Sequence, residues 1–313
     1  MLVRFWGVRG SLPAPQLPSQ IRSKISAIME RLTHGDLESP ESRERFLSTL
    51  PPWLFGAVGG NTSCVTVNPD DSAEVLIFDA GTGIRELGNI VSREKPKITQ
   101  YRLFFSHLHW DHIQGLPFFD PAYDPSVTMD FYAFHQNLES TLRGQMIPPC
   151  FPVNMDSMGC KKNFHFMDQM VILNGAIISG KKMNHPGDSY SFMVNDGKHR
   201  FIYATDTELS TADFLKNEEN TRFFKNADII VLDCQYTLGE AVEKYNWGHG
   251  AFSLAVDFAA NWGIKHMVLF HHDPTYNDRK LYNILQSARE YSAGMDINGI
   301  KLTLATEGLE IRL

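Results

Sequence analysis

Cysteine is scarce in this chain: its 313 residues hold four, Cys64, Cys150, Cys160 and Cys234, with no C-x-x-C pair. Scattered thiols do not make a disulfide framework, and they point to reduced side chains in a cytoplasmic protein. At 43% hydrophobic and 12% aromatic residues, the chain has core enough to fold without cross-links. No apolar run approaches the length that crosses a membrane, so no membrane partner is expected. The opening Met1–Trp6 run reads as a strand rather than a secretory leader. Positive charge is also in deficit, with 29 Lys plus Arg against 36 Asp plus Glu and a net charge of −7. A protein that grips a long polyanion usually carries a basic surface, so the balance favours a small substrate over nucleic acid.

Histidine, in contrast, is plentiful at twelve, and one stretch concentrates it: Ser106-His107-Leu108-His109-Trp110-Asp111-His112. Upstream, Tyr101–Phe105 is a short apolar run that reads as a buried strand. Downstream, Ile113–Phe119 begins as a helical turn before Gly115 and Pro117 interrupt it. In an extended segment alternate side chains share a face, so His107 and His109 can point at one ion. Asp111 and His112 follow where the chain turns and can face a second ion beside the first. Imidazole suits zinc, iron or manganese, and a carboxylate can complete a site or bridge two. A lone histidine beside a strand is ordinarily structural. The full H-x-H-x-D-H set is much harder to reach by chance.

Elsewhere strands and helices follow one another. Residues 2–12 form an opening strand and turn, and residues 13–58 read as a helical excursion. There Ile21, Ile25, Ile28, Met29 and Leu32 recur at helical spacing, and Ser39-Pro40-Glu41 starts a second helix with a cap and a proline. The excursion can be a lid, a homodimer contact or a solvated insertion on the rim. Strands are expected at 64–68 and 74–79, joined by a hairpin at Pro69–Ser72, then a helix from Ile84. A strand at 128–133 and a helix at 137–145 come next, then strands at 171–173, 176–179 and 189–194. His135 and His165 read as surface or packing residues, while His185 stands in a loop between strands. Strands at 199–205 and 227–232 run into Asp206 and Asp233, the carboxyl-end positions where α/β sheets place functional groups. Asp206 is the best candidate for a bridging carboxylate; Asp233 either coordinates or orients a ligand. After His249 a helix runs to a stop at Gly263. A strand at 265–270 leads into His271-His272, and a helix (279–291), a strand (301–305) and a terminal segment (309–313) close the chain. The pattern predicts two sheets packed face to face with helices outside.

The ordered set His107, His109, Asp111, His112, His185, Asp206 and His271 resembles the metallo-β-lactamase-fold hydrolases. The resemblance implies an α/β (α+β) four-layer αββα sandwich, a single domain over 1–313 with 13–58 as an insertion. It also implies two divalent ions, zinc first, with manganese and iron as alternatives. His107, His109 and His185 would hold one and Asp111, His112 and His271 the other, with Asp206 between them and His272 as the fallback for His271. Main-class zinc β-lactamases carry Cys where Asp206 stands, so antibiotic hydrolysis is not expected, and nothing suggests the glutathione site of glyoxalase II-like thioesterases. Gly248-His249-Gly250 resembles the ribonuclease Z and phosphodiesterase branch, in which the matching histidine contacts the scissile phosphate. Gly7–Ser11, Gly59–Ser63 and Asp79–Gly83 resemble bacterial cyclic-nucleotide phosphodiesterase-like members. No Gly/Pro-rich basic arm for tRNA is evident.

The activity so implied is hydrolysis of a small phosphodiester such as a 3′,5′-cyclic nucleotide. Two divalent ions about 3.5–4 Å apart can hold a bridging hydroxide and stabilise charge on a phosphoryl oxygen. Asp111 would orient that hydroxide, and His249 would contact the phosphate or protonate the leaving oxygen. Two readings compete with this one: an RNA-processing nuclease, and a non-catalytic metal-binding or ligand-sensing protein of the same fold. The intact ligand set argues against the latter.

Overall fold

The computed structural model describes residues 1–69, 75–93, 98–297 and 299–313, so most of the expected turn at Pro69–Ser72 lies outside the described residues. Six strands build the first sheet in chain order: β1 (Leu2–Gly7), β2 (Cys64–Asn68), β3 (Val75–Phe78), β4 (Gln100–Phe105), β5 (Thr128–Ala133) and β6 (Lys161–Phe166). The second comprises β7 (Met170–Leu173), β8 (Ala176–Lys182), β9 (Tyr190–Asn195), β10 (Arg200–Ala204), β11 (Ile229–Asp233), β12 (His266–Phe270) and β13 (Lys301–Leu304). The last strand, β14 (Glu310–Arg312), returns to the first sheet beside β1. Strands β3 to β6 run parallel, as do β10 to β13, and the remaining pairs are antiparallel.

Parallel strands covered on both faces require continuous apolar runs. Val75-Leu76-Ile77-Phe78 and Ile229-Ile230-Val231-Leu232 are such runs and are buried throughout. Alternation then sorts the side chains. Leu76 and Phe78 enter the core between the sheets, while Val75 and Ile77 face the outer helical layer. Phe78 is central, its ring 5.4 Å from Phe104 on the neighbouring strand and 5.8 Å from Phe201 on the opposite sheet. Burying a ring of that size contributes roughly 1.5–3 kcal/mol.

The helical excursion holds α1 (Pro18–Met29), α2 (Pro40–Thr49) and α3 (Pro52–Phe55). Ser39 caps α2 as expected, its side chain accepting from Ser42 N–H. The apolar residues of α1 find no core: Ile21, Ile25 and Met29 are 45, 53 and 68% exposed. The first sheet is followed outward by α4 (Ile84–Val91), with α5 (Trp110–Ile113) and α6 (Leu138–Gly144) in the connections. Against the second lie α7 (Glu218–Phe224), α9 (Phe252–Trp262) and α10 (Asp278–Gly294), and α8 (Leu238–Glu243) lies in the loop ahead of His249. The result is the four-layer α/β sandwich. Sequence reading misses β6, a half-buried edge strand with no clean alternation, and the short helices α3, α7 and α8. No helix among the described residues is long and apolar enough to cross a membrane.

Candidate metal centre

The carboxyl ends of β3, β4, β10, β11 and β12 meet at one end of the sandwich, and each delivers a side chain there. Asp79, Asp206 and His271 leave their strands at φ values of 60°, 48° and 59°. A non-glycine residue in that left-handed region costs of order 1–3 kcal/mol, which the surrounding contacts must offset. Gly10 lies so close to His271 that a Cβ there would come within 2.4 Å of the ring.

Asp206 is at the middle of the cluster. Its Oδ2 lies 3.6 Å from His107 Nε2 and 3.8 Å from His185 Nε2. Its Oδ1 lies 3.1 Å from both His112 Nε2 and His271 Nε2. One carboxylate therefore faces two sets of imidazoles with different oxygens. His109 Nδ1 is 3.3 Å from His185 Nε2, and Asp111 Oδ2 is 3.2 Å from His112 Nε2 and 3.3 Å from His271 Nε2. The possible ligand atoms of His107, His109 and His185 lie within 4.8 Å of one another, as do those of Asp111, His112, Asp206 and His271. All seven side chains singled out from sequence thus converge. His272 does not: its Nε2 bonds the carbonyl of Ala305 at 2.9 Å, away from the cluster.

Hydrogen bonds from outside the cluster turn the rings. His112 Nδ1 meets Asp79 at 2.7 Å, His107 Nδ1 meets Ser106 Oγ at 3.1 Å, His185 Nδ1 meets the Gly248 carbonyl at 2.9 Å, and His271 Nδ1 meets Gln235 at 3.1 Å. Each leaves Nε2 facing inward, the arrangement metal-ligating histidines need. The buried Nε2 atoms of His107 and His112, although close to carboxylate oxygens, make no well-aligned hydrogen bond among the described residues. Buried polar atoms left so are costly, and a divalent cation would satisfy both. Imidazole nitrogens with carboxylate oxygens form a suitable donor set, so the residues fit.

The electrostatics agree with that fit. Burial, reinforced by neighbouring histidines, pushes His107 well below the ordinary imidazole value, and burial likewise lowers His109 and His185. Burial alone would raise Asp206, but His271, His112 and His107 hold it well below the usual carboxylate range. His112 moves the opposite way: burial opposes its charge, yet Asp111, Asp206 and Asp79 together raise it well above normal. Three acids around one imidazole mark a place of unbalanced negative charge.

His249 lies beside this cluster, its ligand atom within 4.8 Å of those of His185 and Asp206. Its Nδ1 meets Asp233 Oδ2 at 2.7 Å, and Asp233 Oδ1 accepts from the Gln235 and Gly250 amides at 3.1 and 3.2 Å. Burial lowers this imidazole, but the Asp233 charge and hydrogen bond outweigh it and raise it to about 9. Asp233 therefore orients His249. Asp111 is held from outside too, its Oδ2 accepting from Ser11 N–H at 2.8 Å. A cleft of about 470 Å³ opens over Asp111, Asp206, His249 and His271, with Trp110 on its wall and 77% exposed.

Sequence reading passed over Asp79, Gln235 and Glu208. Asp79 carries the signal that picked out Asp206, an acid directly after an apolar strand, but was read as part of a glycine turn. Its carboxylate accepts from Ser106 N–H and Oγ and from Tyr203 OH as well as meeting His112. Glu208 acts on main-chain amides, which leave no mark in sequence spacing.

Fold and site together define a metallohydrolase-type αββα sandwich with a histidine- and aspartate-rich cluster at its sheet ends. The model of the beta-lactamase superfamily domain matches residues 74–272, so the chain belongs to that family of metal-dependent hydrolases. It is 23% identical over 282 residues to ribonuclease Z of Prochlorococcus marinus strain AS9601, covering 70% of this chain and 85% of that protein. Its fold is similar to that of the metallo-beta-lactamase fold protein YhfI from Bacillus subtilis (TM-score 0.65, 17% identity, 99% of this chain and 98% of that one). It is also similar to Zn(2+)-bound PqqB from Methylobacterium extorquens (TM-score 0.65, 15% identity, all of both chains).

Proposed function

We propose that this chain is a phosphodiesterase acting on a small phosphodiester such as a 3′,5′-cyclic nucleotide. His107, His109 and His185 would hold one divalent cation and Asp111, His112 and His271 a second, with Asp206 available to both. The observation that carries this reading is Asp206, whose two oxygens face two separate imidazole sets. Zinc is the first candidate, given the nitrogen and oxygen donors. Bound there, the cations supply Lewis acidity toward a phosphoryl oxygen and ionise water near neutral pH.

The protein's own groups do the rest. Asp111, steadied by Ser11 N–H, orients the attacking water in line with the departing oxygen. His249, with Nδ1 committed to Asp233, presents Nε2 to the cleft and gives its proton to the leaving oxygen as the phosphorus–oxygen bond breaks. The exposed indole of Trp110 offers a flat apolar wall suited to a nucleobase. The fold is one domain, and the excursion at 13–58 is an insertion in it. The free cysteines suit the cytoplasm.

A second reading, an RNA-processing nuclease, is favoured by the ribonuclease Z similarity; the net charge of −7 weighs against it. The test is turnover of bis(p-nitrophenyl) phosphate, cyclic nucleotides, a lactam and a thioester with zinc and with manganese. Turnover confined to the phosphodiesters is expected. Preference for the lactam or thioester overturns the proposal. Dependence on structured tRNA, with cleavage falling steeply with salt, moves the assignment to the nuclease.

A further inference from the structure

We propose that Glu208 is a positioning residue for His249, its carboxylate pinning the main chain of the loop that carries the imidazole. Glu208 follows Asp206 by two residues, and its backbone is fixed by Asn184: Glu208 N–H donates to the Asn184 carbonyl at 2.9 Å and Asn184 Nδ2 donates back at 3.3 Å. From that anchor Oε1 accepts from Asn246 N–H at 3.2 Å and Oε2 from Gly248 N–H at 3.0 Å. Asn246 and Gly248 both have left-handed φ, 65° and 87°, so the loop turns its amides toward a single acceptor pair. No backbone acceptor serves either amide among the described residues. An ionised carboxylate can serve both at once, being acceptor-only on each oxygen.

The clip reaches further through Gly248. Its carbonyl accepts from His185 Nδ1, and a Cβ at this position would lie 2.2 Å from that nitrogen. One acid thus ties the loops of His185, Asp206 and His249 together. His249 is held twice, by Asp233 at its ring and by Glu208 at the backbone preceding it. Two holds matter because proton transfer depends steeply on donor placement, a misplacement of about 1 Å costing up to ~100-fold.

The inference rests on the proton-donating role given to His249 above. Its test is a double-mutant cycle of Glu208→Ala and Glu208→Gln, each alone and with His249→Ala. The readouts are kcat and KM on bis(p-nitrophenyl) phosphate, metal stoichiometry, and amide hydrogen exchange over residues 245–250. Glu208→Ala is expected to lower kcat by about 10–100-fold with KM and metal content little changed. The Asn246 and Gly248 amides should exchange faster. Glu208→Gln, which keeps one good acceptor, should fall between. With His249 already removed, neither change should cost more than about twofold, because coupled residues are non-additive. An equal loss in both backgrounds, loss of metal, or unchanged kcat despite faster exchange overturns the proposal. Unchanged turnover in His249→Ala alone would overturn it as well, by removing the role of His249, a result distinct from additivity.

Discussion

The metal-type cluster and the excursion at 13–58 are adjoining parts of one end of the chain's fold, built under different constraints. In the cluster, side chains at strand ends are mostly buried, and four of the five histidines have Nδ1 engaged by an outer partner. In the excursion, α1 and α2 bury no residue at all. Its attachment is largely polar: Lys24 Nζ lies 2.5 Å from the buried Asp278 carboxylate, Gln16 bonds the same oxygen, and Val58 N–H reaches the other at 3.2 Å. Leu50, Leu54 and Val58, toward its C-terminal end, add buried apolar side chains. Between the two regions stands Arg9, two residues before Ser11, which bonds the carbonyls of Gly59, Asp273 and Tyr276 and lies 3.7 Å from Asp278. The cluster therefore has little room to absorb change, and the excursion has much.

The widest separation between the regions is expected from Asp206→Ala. Removing the shared carboxylate should lower phosphodiester turnover by on the order of 10³-fold, the scale of losing a main transition-state stabilising group. Metal analysis of the purified variant should show a matching fall in bound cation. Retained metal and near-normal turnover would break the comparison at its root. His249→Ala comes next, with an expected loss of about 10²–10⁴-fold in kcat. Here metal content should stay unchanged, since His249 belongs to Asp233 rather than to the ligand set.

The two halves of the cluster were not equally legible. His107, His109, Asp111 and His112 are visible because one loop leaving one strand must hold four donors, which fixes their spacing. His185, Asp206 and His271 come singly from loops between other elements: Asp206 is marked by following an apolar strand directly, the two histidines chiefly by order and family likeness. Strand β4 and the strands before Asp206 and Asp233 were readable because parallel strands buried on both faces need unbroken apolar runs. Asp79 was not, because an acid before Gly81 and Gly83 has an ordinary turn explanation. The periodicity of α1 gave its helix correctly, yet Ile21, Ile25 and Met29 lie open. Local spacing fixes a helix but not what covers it.

Packing offers a third contrast. Phe78→Ala in the core should cost about 3–5 kcal/mol of unfolding free energy, whereas Ile25→Ala on the open face of α1 should stay within about 0.5 kcal/mol. Chemical denaturation measures both, and a large cost at Ile25 would mean that the face is covered in solution. Lys24→Met should fall between, at about 1–3 kcal/mol, because it strips a partner from a buried carboxylate. Limited proteolysis should then cut earlier within 13–58 while bound metal is unchanged.

The smallest expected effect concerns pH and a residue outside both regions. His266 on β12 is buried, accepts or donates at 2.8 Å to Thr303 Oγ1, and is lowered to about 4 by burial and then by Lys301. In the unfolded chain it binds a proton near pH 6.5. Above that value neither state is protonated there and His266 adds no pH dependence. As pH falls from about 6.5 toward 4 the unfolded state gains a proton that the folded state refuses, so stability declines across that window. His266→Gln removes this titration. Melting temperatures of the two proteins, compared with metal chelated throughout, should therefore converge or cross as pH drops from 7 to 4.5. A constant difference across that range would mean that the folded histidine accepts its proton as readily as the unfolded one.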